Sequence, residues 1–215
     1  MPRAKPKRVS SEKKQITLLV IAVCLFSFGH WGLSSAQSFP WQDQPLKIWM
    51  LDIGQGDALF IEFPTGEQML VDGGPGDVVL AKLGSVLPPW DRTLDTVLVT
   101  HPDADHVSGI ISVLDRYDVG TIYESGVGAH TPFGQAYEEA KVDQVVKGIE
   151  AGDVIQIGEV RLTILWPEET LEGEYPEKRN NVGIVLLLTY GETSMLFTAD
   201  TEEEAEEQYA SRVDN

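Results

Sequence analysis

The sequence predicts an α/β domain in which two sheets pack together under covering helices, preceded by one apolar helix. Three observations carry this. Short apolar runs bounded by Gly, Pro and Asp form hairpin patterns in both halves of the chain. Segments with helical spacing separate them. Near the amino terminus, an 18-residue apolar run follows a basic tail. Mixed strands and helices of this kind build a layered core.

The amino-terminal residues come first. Residues 1–14 hold six basic groups and one acid, and no Asp, Glu, Lys or Arg occurs from Gln15 to Gln42. "ITLLVIAVCLFSFGHWGL" (residues 16–33) is about the length that crosses a bilayer as a helix. Its one-sided basic flank keeps residues 1–15 in the cytoplasm and sends the remainder outward. The run reads either as a single-pass membrane anchor or as a signal peptide cleaved after Ser34-Ser35-Ala36, which would release the domain. His30 and Trp31 mark the membrane interface. Residues 34–45, with Pro40 and Pro45, form a linker, and residues 46–215 form the domain.

Within the domain, "LKIWMLDI", "ALFIEFP" and "EQMLVDGG" are strands, the last two joined through Thr65-Gly66. "DVVLAKLGSVL" is a helix. "LDTVLVT" is a buried strand that runs directly into His101, and "VSGIISVLDRY" has helical spacing. "VGTIYES" is a strand, and "FGQAYEEAKVDQVVKG" is expected as a helix closed by Gly148. "DVIQIGEVRLTILWP" and "NVGIVLLLTYGETSMLFTAD" are hairpins turning at Gly158-Glu159 and Gly191-Glu192. "TEEEAEEQYASRV" closes the chain as a helix with acids in its first turn.

Charge narrows the functions. The net charge is −18, and outside the tail 10 basic residues face 33 acidic ones. Such a body repels a polyanion unless cations intervene. The lone Cys24 excludes an intrachain disulfide and a cysteine-rich zinc site, so any metal is held by His and carboxylate. No segment points to a protein partner.

The stretch "THPDADHVSG" (residues 100–109) concentrates the chemistry. Pro102 denies His101 a helical conformation, so the chain leaves its strand there and turns. Val107 begins an apolar-periodic segment, which puts Asp105 and His106 at a helix start. A tight strand-to-helix loop brings His101, Asp103, Asp105 and His106 toward one point. Helix capping needs one such side chain, not four. One or two divalent cations would relieve the carboxylate repulsion and use neutral imidazole nitrogens as ligands. Asp103 reads either as a ligand or as an acceptor that orients a histidine.

"HPDADH" resembles the HxHxDH signature of the metallo-β-lactamase superfamily, with Asp103 in place of the middle histidine. "LDIGQGDALFIEFPTGEQMLVDGG", "VTHPDADHVSGI" and "NNVGIVLLLTYGETSMLFTAD", followed by the acidic helix, resemble the metallo-hydrolase domain of DNA-uptake competence proteins of the ComEC type. The resemblance covers residues 46–215. It implies an αββα sandwich with two divalent metal ions at one edge, His101 and Asp103 serving one and Asp105 and His106 the other. Asp200 matches the bridging carboxylate, and Asp105 takes the catalytic place as well. Asp57, Asp72 and Asn181 fall in motifs that approach the site and would support the ligands. For Asp72 a role fixing the turn at Gly73-Gly74 is equally open, as is a turn cap for Asn181. His130 reads as a surface-loop residue.

Carboxylate at position 103 hardens the site, leaving manganese and magnesium open beside zinc. The family carries a further histidine pair after its bridging Asp. This chain has 15 residues beyond Asp200 and no histidine among them, so the domain is expected to be incomplete at its carboxy end. The expected function is a membrane-anchored or exported metal-dependent hydrolase, a phosphodiesterase or DNA nuclease related to DNA uptake. Hydrolysis of a smaller ester, phosphodiester or lactam is the alternative reaction. A non-catalytic membrane-tethered binding module is the alternative class.

Overall fold

The computed structural model describes residues 44–128, 131–174, 176, 178 and 180–213. The basic tail, the apolar run at 16–33, most of the linker and His130 lie outside these residues. Among the described residues, no helix is long and apolar enough to cross a membrane.

The first half builds one sheet. Strands β1 (Lys47–Met50), β2 (Leu59–Glu62) and β3 (Gln68–Val71) pair antiparallel. The β2–β3 turn closes through Gly66, whose φ of 97° suits a residue without Cβ. Helix α1 (Val78–Val86) then crosses to β4 (Thr93–Val99), which runs parallel to β3. Helix α2 (Ala104–Leu114) carries the chain to β5 (Asp118–Glu124), again parallel. Helix α3 (Pro132–Ala140) leads to the edge strand β6 (Val146–Gly148). Parallel pairs need such crossovers, and helices supply them.

The second half forms a four-stranded antiparallel sheet in the order β10-β9-β8-β7. Its strands are β7 (Val154–Ile157), β8 (Val160–Trp166), β9 (Val185–Tyr190) and β10 (Thr193–Phe197). Helix α4 (Glu203–Val213) follows.

Alternation along the strands sorts the side chains into layers. Phe60, Leu70, Val97 and Ile122 meet Val79 and Leu83 of α1, Val107 and Ile110 of α2, and Tyr137 of α3. Their neighbours Ile61, Met69, Val71 and Leu98 face the other way, against Val160, Leu162, Leu186 and Leu188 of the second sheet. Val185 and Leu165 pack on Ala205 and Tyr209 of α4. The layers are therefore helices, sheet, sheet and helix, the αββα arrangement. Each fully buried Leu- or Val-sized side chain contributes roughly 1.5–3 kcal/mol, so both sheet faces hold this order in place.

The end of α3 differs from the sequence expectation, while the start of α2 places Asp105 and His106 in its first turn as expected. The helix expected over 133–148 ends at Ala140, and its last part is strand β6. Val142, Val145 and Val146 are exposed, so no apolar face holds them in a helix. β-Branched residues favour extended backbone, and β5 offers an open edge, where Ile122 N–H donates to the Val145 carbonyl at 2.8 Å. Helix α2 begins three residues before the apolar spacing does. Asp103 sits at its N-cap with extended backbone, φ −81° and ψ 153°.

Candidate metal centre

Strands β3 and β4 are parallel and adjacent, so their carboxy ends share one edge of the sheet. Asp72 follows β3, and Thr100 and His101 follow β4. The chain then turns at Pro102 and enters α2, whose first turn carries Asp105 and His106. Asp200 arrives from the second sheet, three residues beyond β10. A ligand atom from each of His101, His106 and Asp200 can lie within 4.8 Å of the others, a spacing that suits one cation.

The two histidines are buried, at 2% and 0% exposure, and their ring centroids are 4.1 Å apart. Neither Nε2 has a hydrogen-bond partner. The His106 Nε2 stands 3.5 Å from Asp200 Oδ2, and the His101 Nε2 stands 4.0 Å from Asp103 Oδ2. Buried polar atoms are rarely left without partners, so two such nitrogens beside carboxylates fit a cation.

The opposite ring nitrogens fix the tautomers. Asp72 is completely buried and accepts from the Thr100 backbone N–H at 2.8 Å and the Thr100 hydroxyl at 2.6 Å. Its Oδ2 lies 2.8 Å from His106 Nδ1, so that nitrogen carries the proton. The Thr100 hydroxyl has spent its single proton on Asp72. It can therefore only accept from His101 Nδ1, 3.0 Å away. Both imidazoles are held with Nδ1–H directed backward and Nε2 forward, which is how a carboxylate behind a histidine prepares it as a ligand.

Charge around the pair acts unequally in the metal-free protein. Burial pushes His106 down, but its hydrogen bond to Asp72 and the charges of Asp72, Asp200 and Asp105 prevail and push its pKa up to about 9. Burial and the neighbouring His106 pull His101 below the usual histidine range, against the carboxylates of Asp72, Asp103 and Asp200. Burial raises Asp57, while His106, Asp72, Asp200 and His101 also act on it, which sets Asp57 at the rim of the same site.

Backbone contact sets the depth of α2. Gly73 N–H donates to the His106 carbonyl at 2.8 Å, and Gly109 N–H donates to the Gly74 carbonyl at 2.9 Å. A Cβ on Gly109 would sit 1.9 Å from the Gly73 oxygen, and one on Gly73 would sit 2.5 Å from Ile110 N. Only glycine at both positions lets the helix bearing His106 touch the loop bearing Asp72. Asp72 and Ala199 are the described non-glycine residues with positive φ, 54° and 47°. Each lies in the turn that delivers a site carboxylate, where local strain is commonly concentrated.

The remaining candidates take different places. Asp105 lies in the first turn of α2 near enough to raise His106, but outside the group of three. Asp103 is outside it as well. The side chain of Asn181 accepts from Glu202 N–H at 3.0 Å and donates to Glu204 at 3.3 Å. It thus fixes the chain between Asp200 and α4 and acts on the site through that loop. Sequence reasoning missed Thr100 and the Gly73–Gly109 crossing. The threonine sits at the end of a buried strand immediately before His101, and that position was the available signal.

A family model for the metallo-beta-lactamase superfamily matches residues 51–213, and the chain belongs to that superfamily. It is a metallo-hydrolase by family, and proteins of this fold bind divalent metal ions. ComE operon protein 3 of Bacillus subtilis (strain 168) is 25% identical over 187 residues, which span 75% of this chain and 23% of that protein. The chain thus spans about a quarter of that relative's length. Among solved structures, a variant of the β-hydroxylase CmlA of Streptomyces venezuelae, described as a diiron enzyme, aligns over 80% of this chain and 33% of its own, at 15% identity and a TM-score of 0.50. The metallo-beta-lactamase fold protein YhfI of Bacillus subtilis aligns over 73% of this chain and 63% of its own, at 19% identity and a TM-score of 0.49.

Proposed function

We propose that this chain hydrolyses phosphodiester bonds in DNA on the outer side of a membrane that residues 16–33 span. The observation that carries the hydrolase reading is the pair of buried Nε2 atoms, that of His106 beside Asp200 and that of His101 beside Asp103, each ring locked from behind through Asp72 and Thr100. The resemblance of "LDIGQGDALFIEFPTGEQMLVDGG", "VTHPDADHVSGI" and "NNVGIVLLLTYGETSMLFTAD" to DNA-uptake competence proteins supports DNA as the substrate. The basic flank of the apolar run supports an anchored domain, residues 46–215, facing outward, with release after signal cleavage as the variant of the same topology.

A divalent cation held here, zinc, manganese or magnesium, would supply Lewis acidity and a more acidic water. His101, and His106 once the cation displaces the Nε2 proton, would present neutral nitrogen lone pairs to it, and Asp200 would supply negative charge. Asp72 balances the imidazole of His106 without touching the reacting atoms. Asp57, Asp103 and Asp105 stand around the same edge, and a second cation would draw on them together with Asp200. In that arrangement Asp105 is the candidate catalytic carboxylate.

The five aspartates around the site favour a second reading, a small phosphodiester, ester or lactam in place of a polymer. Long DNA would meet an acidic surface beyond the reach of the cations. The test is the purified full-length chain in detergent, supplied in turn with zinc, manganese and magnesium. Bound metal and the cleavage of single-stranded DNA, duplex DNA and a dinucleotide are measured together. Metal-dependent cleavage of DNA that His106→Ala abolishes supports the proposal. Cleavage of the dinucleotide alone supports the second reading, and bound metal with no turnover supports a binding module. A reporter fused after Asn215 should be active only outside the cytoplasm.

A further inference from the structure

Beside the metal centre runs a groove of about 320 Å³. Its apolar wall is made by Met50, Leu59, Val71, Met195 and Phe197. At one end it reaches Asp57, Asp72 and Thr100, which belong to the metal centre, and Ala199, which precedes Asp200. The groove and the site are therefore one continuous surface. β1 and β10 are the edge strands of the two sheets, so the groove follows the open edge of the sandwich. Met50 and Met195 are 82% and 43% exposed. Large apolar side chains gathered at one place beside a reactive centre mark a binding surface more than chance exposure does.

The chemistry of the wall limits the occupant. None of the described residues lining the groove is basic, so it offers no track for a run of phosphates. Its volume is at the lower end of the roughly 300–1,000 Å³ typical of small-ligand sites. Methionine side chains adapt to flat polarizable groups, and an aromatic residue supplies a stacking face. We propose that this groove is a subsite for one flat apolar ring attached to the ester being cleaved, and that it selects substrates by that ring. A nucleobase and a simple aryl group share this chemistry. The assignment of the ring to a substrate rests on the hydrolase reading, whereas binding of the ring itself does not.

The test separates the two. Saturation-transfer NMR on the metal-free full chain is run with thymidine, benzamide and 2-deoxyribose. Thymidine or benzamide should be saturated and the sugar should not. Thymidine identifies a base as the occupant, and benzamide alone identifies an aryl group. Met195→Asp, on an exposed position, should abolish the signal without unfolding the chain, and Phe197→Leu should weaken it. With the cation supplied, the dinucleotide of thymidine should show a KM about ten-fold lower than the same diester lacking one base, with similar kcat. Met195→Asp should erase that difference. If neither ring binds, or Met195→Asp leaves binding unchanged, the subsite is wrong. Ring binding by a chain that cleaves nothing would preserve the subsite and refute the hydrolase reading.

Discussion

The Oδ2 of Asp72 lies 2.8 Å from Nδ1 of His106, with both side chains sealed from solvent. That single contact decides which nitrogen of His106 faces Asp200. Substituting Asp72→Asn keeps the shape and tolerates the positive φ of 54°, because asparagine visits that region readily. It removes the negative charge behind the imidazole. Metal affinity is expected to fall about 10–100-fold, the usual cost of losing such a carboxylate. Calorimetric titration with zinc measures it. An unchanged affinity would show that His106 does not depend on Asp72 as a ligand.

The three convergent side chains should not be equivalent to their neighbours. His101→Ala, His106→Ala and Asp200→Ala each delete a member of the group within 4.8 Å. Each is expected to lose most bound metal, read by mass spectrometry of the purified chain. Asp103→Ala removes a carboxylate 4.0 Å from His101 Nε2 and should have a milder effect. Equal losses from Asp103→Ala and His101→Ala would place Asp103 among the direct ligands.

These residues also show what a sequence can and cannot disclose. The turn at His101-Pro102 was legible because a buried apolar strand ends there and proline forbids a helix. The hairpins were legible from alternation and glycine turns. The end of α3 was not, because Val142, Val145 and Val146 fit helical spacing as well as a strand, and only the open edge of β5 decides between them. The meeting of Asp200 with His101 and His106 came through family resemblance, since no local pattern joins the two sheets. Thr100 and the Gly73–Gly109 crossing depend on backbones brought together by the fold.

Another buried titratable group lies on α3. Tyr137 donates to Glu124 Oε2 at 2.7 Å, and Lys141 donates to the other oxygen of the same carboxylate at 2.6 Å. Burial first, then the charge of Glu124, raises the phenol well above 10. The folded state therefore holds the neutral phenol more tightly than the unfolded chain does. Its contribution is fully present below about pH 10 and is lost as pH rises toward the folded value. Tyr137→Phe should cost about 1 kcal/mol near neutrality through the lost hydrogen bond. It should also make the fall in stability above pH 10 shallower. Urea midpoints between pH 7 and 11 test both, and parallel curves for the two proteins would refute the linkage.

The sharpest steric constraint is at Gly109. A methyl group there would lie 1.9 Å from the Gly73 carbonyl oxygen, against backbone that cannot rotate away as a side chain would. Gly109→Ala must push α2 outward or break the Gly109 N–H bond to the Gly74 carbonyl. Overpacking of this kind costs about 1–3 kcal/mol, and the backbone contact puts this position at the upper end. The displacement also moves His106, three residues earlier on the same helix, away from Asp72. Metal affinity should therefore fall along with stability. Gly84→Ala is the control, because its Cβ meets nothing within 4 Å. It lies inside α1, where alanine is the better helix former by roughly 0.5–1 kcal/mol. Thermal unfolding and zinc titration of both variants should show the first weakened in both measures and the second stabilised with unchanged affinity. A Gly109→Ala chain that binds zinc normally would show that His106 reaches the centre without the close crossing of α2 over the loop at Gly73.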